Sequence, residues 1–116
     1  DIQLAAEAGD KKCQLVENMF CHQLTKYVGG FAAVMGGVDA VVFTGGIGEN
    51  NPKYRSYVAD KLRFLGCAID EEKNAKRGME IDISTADSKV RFLVIPTEEE
   101  LTIARDTYEI VSALKK

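Results

Sequence analysis

Apolar positions recur along the first third of the chain at steps of three and four. Cys13, Val16, Phe20, Leu24, Tyr27 and Phe31 form one stripe, which predicts a long amphipathic helix over residues ~12 to 35. Gly29-Gly30 interrupts it, at about 1 kcal/mol per glycine relative to alanine, and a close packing contact is the expected reason. Gly36-Gly37 suits the helix end. The period then changes. Val38, Ala40, Val41, Val42 and Phe43 are nearly continuous apolar residues, the pattern of a strand in a parallel sheet covered on both faces. A glycine loop follows, Thr44-Gly45-Gly46-Ile47-Gly48-Glu49-Asn50-Asn51. Asn51 reads as the N-cap and Pro52 as the first residue of the next helix. Tyr54, Val58, Leu62 and Leu65 mark its inner side, and Gly66 stops it.

The second half repeats the alternation less clearly. Cys67-Ala68-Ile69 reads as a short strand. Residues 70–89 are polar and poorly periodic, which predicts a solvated excursion with one small helix near Glu71–Ala75. Val90 to Ile95 is a second buried strand, broken only by Arg91 and closed by Pro96. Thr97 and Glu100 have capping-box spacing at the head of a helix reaching Leu114. Leu101, Ala104, Tyr108 and Val111 make one apolar stripe on that helix, and Ile103, Thr107, Ile110 and Leu114 a second, so burial on more than one side is expected. Strands alternating with helices imply an α/β fold with parallel pairing and right-handed crossovers. Two principal strands are few for a free-standing sheet, and the chain starts without an initiator Met. Both features lead to the expectation of a piece of a longer protein.

At 116 residues, of which 46% are apolar, the chain is long enough for one domain with a core. A net charge of −3 and the lack of a basic stripe leave no electrostatic case for nucleic acid. The apolar runs are too short for a membrane span. Cys13, Cys21 and Cys67 have neither pairing parity nor CxxC spacing, so they are expected to be small buried residues in a reducing cytosol. His22, the one histidine, falls inside the first helix and is read as a partly exposed helical residue.

The candidate chemistry lies in the two β→α turns. In an open parallel sheet, ligands bind beyond the carboxyl ends of the strands, so neighbouring strands would bring Thr44–Asn51 and Pro96–Glu98 to one cleft. Backbone N–H groups crowd an anion most easily where glycines keep side chains away. Glu99, in a helical first turn, stays ionised beside the helix dipole. Carboxylate and phosphate repel each other unless a divalent cation sits between them, and Mg²⁺ typically binds through one or two carboxylates plus phosphates and water. The pairing therefore predicts a Mg-nucleotide site. The plain alternatives stay open: a tight turn with no ligand, and acidic residues serving the helix start alone. Gly46-Ile47-Gly48 is only a G-x-G, and neither the third dinucleotide-fingerprint glycine nor a Walker Lys-Ser/Thr follows.

Phe43-Thr44-Gly45-Gly46-Ile47-Gly48-Glu49-Asn50, together with Ile95-Pro96-Thr97-Glu98-Glu99-Glu100-Leu101 and Ile103-Ala104-Arg105-Asp106-Thr107, resembles the acetate kinase family. Asp70-Glu71-Glu72-Lys73-Asn74 and Ile83–Val90 also fit its pattern, so the resemblance runs through residues 1–116. It implies the ribonuclease H-like (actin-like ATPase) fold, with this chain as the last part of the C-terminal domain, a partial parallel sheet flanked by helices. It implies reversible, Mg²⁺-dependent transfer of the γ-phosphoryl group of ATP to acetate, giving acetyl phosphate and ADP, in a cytoplasmic homodimer. Gly46, Ile47, Gly48, Glu49 and Asn50 match the ATP-binding loop, and Glu99 matches the glutamate that helps hold Mg²⁺. Glu98 departs from the family, where Asn or Asp is common. The acetate pocket, the catalytic arginines and the catalytic histidine belong to segments before this one. No catalytic residue is therefore expected here, and the chain alone is expected to be inactive. Propionate or butyrate kinase would look similar over this stretch. A non-catalytic α/β assembly module is the reading from another class.

Overall fold

The computed structural model describes residues 1–114. The first helix, α1 (Ile2–Glu7), was not foreseen. Asp1 caps it by accepting from the Gln3 amide at 3.0 Å. A turn at Gly9, in the left-handed region, folds it back on α2 (Lys11–Met35), where Gln14 Nε2 donates to Ala6 O at 2.9 Å. Asp10 starts α2 by accepting from the amides of Lys12 and Cys13, and these bonds hold its carboxyl below the usual carboxylate range. Gly36, with φ +74°, ends α2.

Strand β1 (Ala40–Phe43) leads into α3 (Gly45–Asn50) and α4 (Pro52–Lys61). A 3₁₀ turn, Arg63–Leu65, follows, and Gly66 stops it at φ +85°. Then come α5 (Glu71–Asn74), β2 (Ile81–Asp82), β3 (Arg91–Val94) and α6 (Glu99–Leu114). The sheet order is β1-β3-β2. β1 and β3 run parallel, Ala40 opposite Arg91 and Phe43 opposite Val94. This bears out the expected pairing of the two principal strands.

Four expectations are corrected. β2 pairs antiparallel with β3, and Cys67-Ala68-Ile69 contributes only isolated bridges, Cys67 to Val90 and Ile69 to Ser84. The polar stretch 70–89 is not wholly solvated, because Asn74, Ile83, Ser84 and Ser88 are buried in it. The sheet is covered on one face only. Val41, Phe43, Phe92 and Val94 point toward Val58, Leu62 and Ile83, while Val42 on the other face is exposed. Lastly, α6 has no buried residue, so its two apolar stripes find no cover within the chain.

The core is this one-sided layer. Phe43 and Phe92 stack with ring centroids 5.7 Å apart, and each fully buried large side chain contributes roughly 1.5–3 kcal/mol. Cys21 and Cys67 are buried as expected, but Cys13 is only half-buried. His22 is exposed, as expected of a helical surface residue. No close contact explains Gly29 or Gly30, since a Cβ there would meet nothing within 4 Å. Among the described residues, no helix is long and apolar enough to cross a membrane.

Candidate functional site

The parallel pairing of β1 and β3 sends both chain exits to the same edge. From β1 the chain turns at Gly45, whose φ of +68° favours glycine, and enters α3. The glycine segment is thus a six-residue helix rather than an open loop. From β3 it runs through Ile95, whose amide donates to Phe43 O at 2.9 Å, and Pro96 to the head of α6. Gly45, Gly46 and Thr97–Leu101 line one cleft of about 400 Å³. Gly46 and Glu99 therefore border a common space. Ile47, Gly48, Glu49 and Asn50 do not line it.

Those four residues have other occupations. Ile47 is exposed, and its carbonyl accepts from Asn51 Nδ2 at 3.1 Å. Asn51 therefore does not cap α4 through its side chain, although Pro52 stands at the first turn as expected. A Cβ on Gly48 would lie 3.1 Å from the backbone carbon of Phe43, so the glycine is required where α3 crosses the end of β1. Asn50 Nδ2 donates to Gly46 O at 2.9 Å, inside the turn. Glu49 Oε1 accepts from the Thr97 amide at 3.0 Å and from its hydroxyl at 3.3 Å. That bond replaces the expected capping box: Thr97 turns to Glu49, and the helix begins at Glu99 behind it.

Glu98, Glu99 and Glu100 are all exposed at the cleft. Glu98 stands just before α6, and Glu99 and Glu100, successive on the helix, point about 100° apart. No group of three acidic, His or Cys residues that could hold a metal occurs among the described residues. The donor set suits Mg²⁺, which needs one or two carboxylates when phosphates and water fill its other positions.

Sequence reasoning missed the groups that brace this edge from below. Arg55 is fully buried. Its Nη1 donates to Gly48 O at 2.7 Å and Glu49 O at 2.8 Å, Nη2 to Asn74 O at 2.7 Å, and Nε to Asn74 Oδ1 at 2.8 Å. Burial lowers its affinity for its proton, as does the nearby charge of Arg77. Asn74 in turn donates to Pro52 O and Ser56 Oγ. A second brace joins α2 to α4. Buried Glu17 accepts from Lys53 Nζ at 2.6 Å, while Phe20 lies against Tyr54 with centroids 5.2 Å apart. Gln3 Nε2 donates to Asn51 Oδ1, tying α1 to the α3–α4 junction. One signal for Arg55 was available. It precedes Val58, Ala59 and Leu62 by three, four and seven positions, which places it on the inner face of α4.

Together these features define an α/β protein with a candidate site beyond the carboxyl ends of a parallel strand pair. The chain belongs to the acetokinase family, whose sequence model matches residues 1–105. It is 56% identical over 111 residues to an acetate kinase of Carboxydothermus hydrogenoformans, covering 96% of this chain and 28% of that protein. It is 53% identical over 116 residues to one of Thermoanaerobacterium thermosaccharolyticum, covering 99% and 29%. Among solved structures, Porphyromonas gingivalis acetate kinase superposes with a TM-score of 0.82 at 43% identity, over 95% of this chain and 28% of that one. A propionate kinase from Francisella tularensis superposes at 0.76 with 38% identity, over 89% and 26%. The chain thus spans little more than a quarter of the length of these relatives.

Proposed function

We propose that this chain supplies one wall of the Mg-ATP site of an acetate kinase, within the second ribonuclease H-like domain of a cytoplasmic homodimer. The parent enzyme moves the γ-phosphoryl group of ATP reversibly to acetate, giving acetyl phosphate and ADP. The observation that carries the reading is the cleft shared by Gly45-Gly46 and the acidic head of α6. Gly46 offers an open backbone, since a Cβ there would meet nothing within 4 Å. Of the matched residues, Gly46 approaches the nucleotide. Gly48, Glu49 and Asn50 shape the turn that presents it, and Ile47 is left exposed beside them. Glu99 is the carboxylate toward Mg²⁺, which when bound neutralises phosphate charge. Phosphoryl transfer is mostly positioning and charge stabilisation, so a chain with this wall and no arginine at the cleft is inactive alone.

NMR titration of the chain with Mg-ATP tests the reading. Shifts concentrated at Gly45–Asn50 and Glu98–Glu100 are expected. A silent site in the folded chain would favour the assembly module instead. Propionate as the acceptor is the second enzymatic reading, supported by the superposition on a propionate kinase. Comparing kcat/KM for acetate and propionate in the parent enzyme separates the two.

A further inference from the structure

We propose that Arg55 is a positioning residue that holds the glycine turn in register with the acidic head of α6, acting through Glu49 and Thr97. The inference deepens the nucleotide reading and rests on it for its functional consequence, but its structural core stands alone. A fully buried guanidinium is normally paired with a carboxylate, because burying an unpaired charge is costly. Among the described residues, Arg55 has no carboxylate partner. Its four bonds go to neutral oxygens, two of them the carbonyls of Gly48 and Glu49 at the end of α3. That is the negative end of the helix dipole, where a cation is best placed.

The geometry makes a continuous chain. Asn74, anchored to Pro52 and Ser56, holds one side of the guanidinium. The guanidinium fixes the Gly48 and Glu49 peptides, and the Glu49 carboxylate holds Thr97 two residues before Glu99. Nη1 alone holds the two carbonyls while Nε and Nη2 hold Asn74, so the planar guanidinium spans the turn and its anchor at once, which a single ammonium cannot do. Arg55→Lys keeps the charge and loses the grip.

The test reads the Thr97 amide signal in the NMR spectrum of the chain. Glu49→Ala supplies the reference position for Thr97 with no carboxylate to bond. In Arg55→Lys the Thr97 signal is expected to move toward that reference while the Val41 and Phe92 amides stay in place. Mg-ATP should then bind about tenfold more weakly, a coupling of ordinary size between separated groups. Val58→Ala, which loosens the same helix without touching the network, should leave Thr97 where it is. A Thr97 signal unmoved in folded Arg55→Lys overturns the proposal, as does an equal displacement in Val58→Ala. If Arg55→Lys does not fold, Asn74→Ser, which removes the acceptor of Nε, is read against the same two references with the same outcomes. If the unmodified chain fails to bind Mg-ATP, the nucleotide reading falls while the Thr97 readout still decides the positioning role.

Discussion

Glu49 Oε1 takes two hydrogen bonds from Thr97, one from its amide at 3.0 Å and one from its hydroxyl at 3.3 Å, across 48 residues of chain. The two β→α turns are therefore joined side chain to backbone, beyond the ladder that pairs their strands. Glu49→Ala should release the head of α6. The bond is exposed, so its loss should cost only about 1 kcal/mol of stability. Mg-ATP affinity in the parent enzyme should fall about tenfold, at least as far as in Arg55→Lys, measured by calorimetric titration. Glu49→Gln, which keeps one acceptor oxygen, should fall in between.

Two glycines in the same turn should respond differently. A Cβ at Gly48 meets the Phe43 backbone, which the sheet holds in place, so Gly48→Ala should lower stability by roughly 1–3 kcal/mol in urea unfolding. A Cβ at Gly46 meets nothing, so Gly46→Val should leave the rest of the fold in place and weaken Mg-ATP binding. Equal loss of stability in both variants would contradict this division.

Glu99 carries the proposed metal contact, although Glu98 and Glu100 border the same cleft. Glu99→Gln in the parent enzyme should raise the Mg²⁺ concentration for half-maximal rate by about tenfold or more, whereas Glu98→Gln should change it little. A Mg²⁺ titration of the steady-state rate measures both. Equal effects would move the contact to the helix head as a whole.

Alkaline pH should destabilise the chain in steps. Burial pushes the thiols of Cys21 and Cys67 above their ordinary value of 9.0. Each binds its proton more tightly when folded, so its contribution is complete below that value and is lost as pH rises through the raised one. Tyr54, raised by burial, and Lys53, raised by its bond to Glu17, extend the decline from 10.0 and 10.5 upward. Urea midpoints should therefore fall from about pH 9. The double variant Cys21→Ala, Cys67→Ala should shrink the first part of the fall to the share of Cys13, whose thiol is also raised by desolvation, and leave the later part.

The elements most legible in the sequence were those whose side chains face one way. α2 followed from the period of its stripe, although Val16, Phe20, Tyr27 and Phe31 in that stripe are exposed, and β1 and β3 followed from continuous apolar runs. The cleft followed from the rule that parallel strands deliver their exits to one edge. What escaped was anything that required knowing the partner. β2 carries Ile81 and Asp82 in a charged stretch, and its pairing depends on β3 rather than on its own composition. Arg55 shares the inner face of α4 by its spacing, but its partners, the carbonyls of Gly48 and Glu49, follow only from the way α3 is placed. Thr97 has the spacing of a cap, but its amide and hydroxyl both donate to the Glu49 carboxylate and α6 begins only at Glu99. Gly48 looked like room for a ligand and is instead room for Phe43. The stripes of α6 were visible, yet periodicity reports which residues shun water and not whether this chain supplies their cover.

That last feature has a practical consequence. Ile103, Tyr108, Ile110 and Leu114 stand in water along one rod, and Val42 does so on the bare side of the sheet. With a net charge of only −3, mutual repulsion between copies is slight. Handled by itself, the polypeptide should be a poor solute, taking up hydrophobic dyes and salting out early.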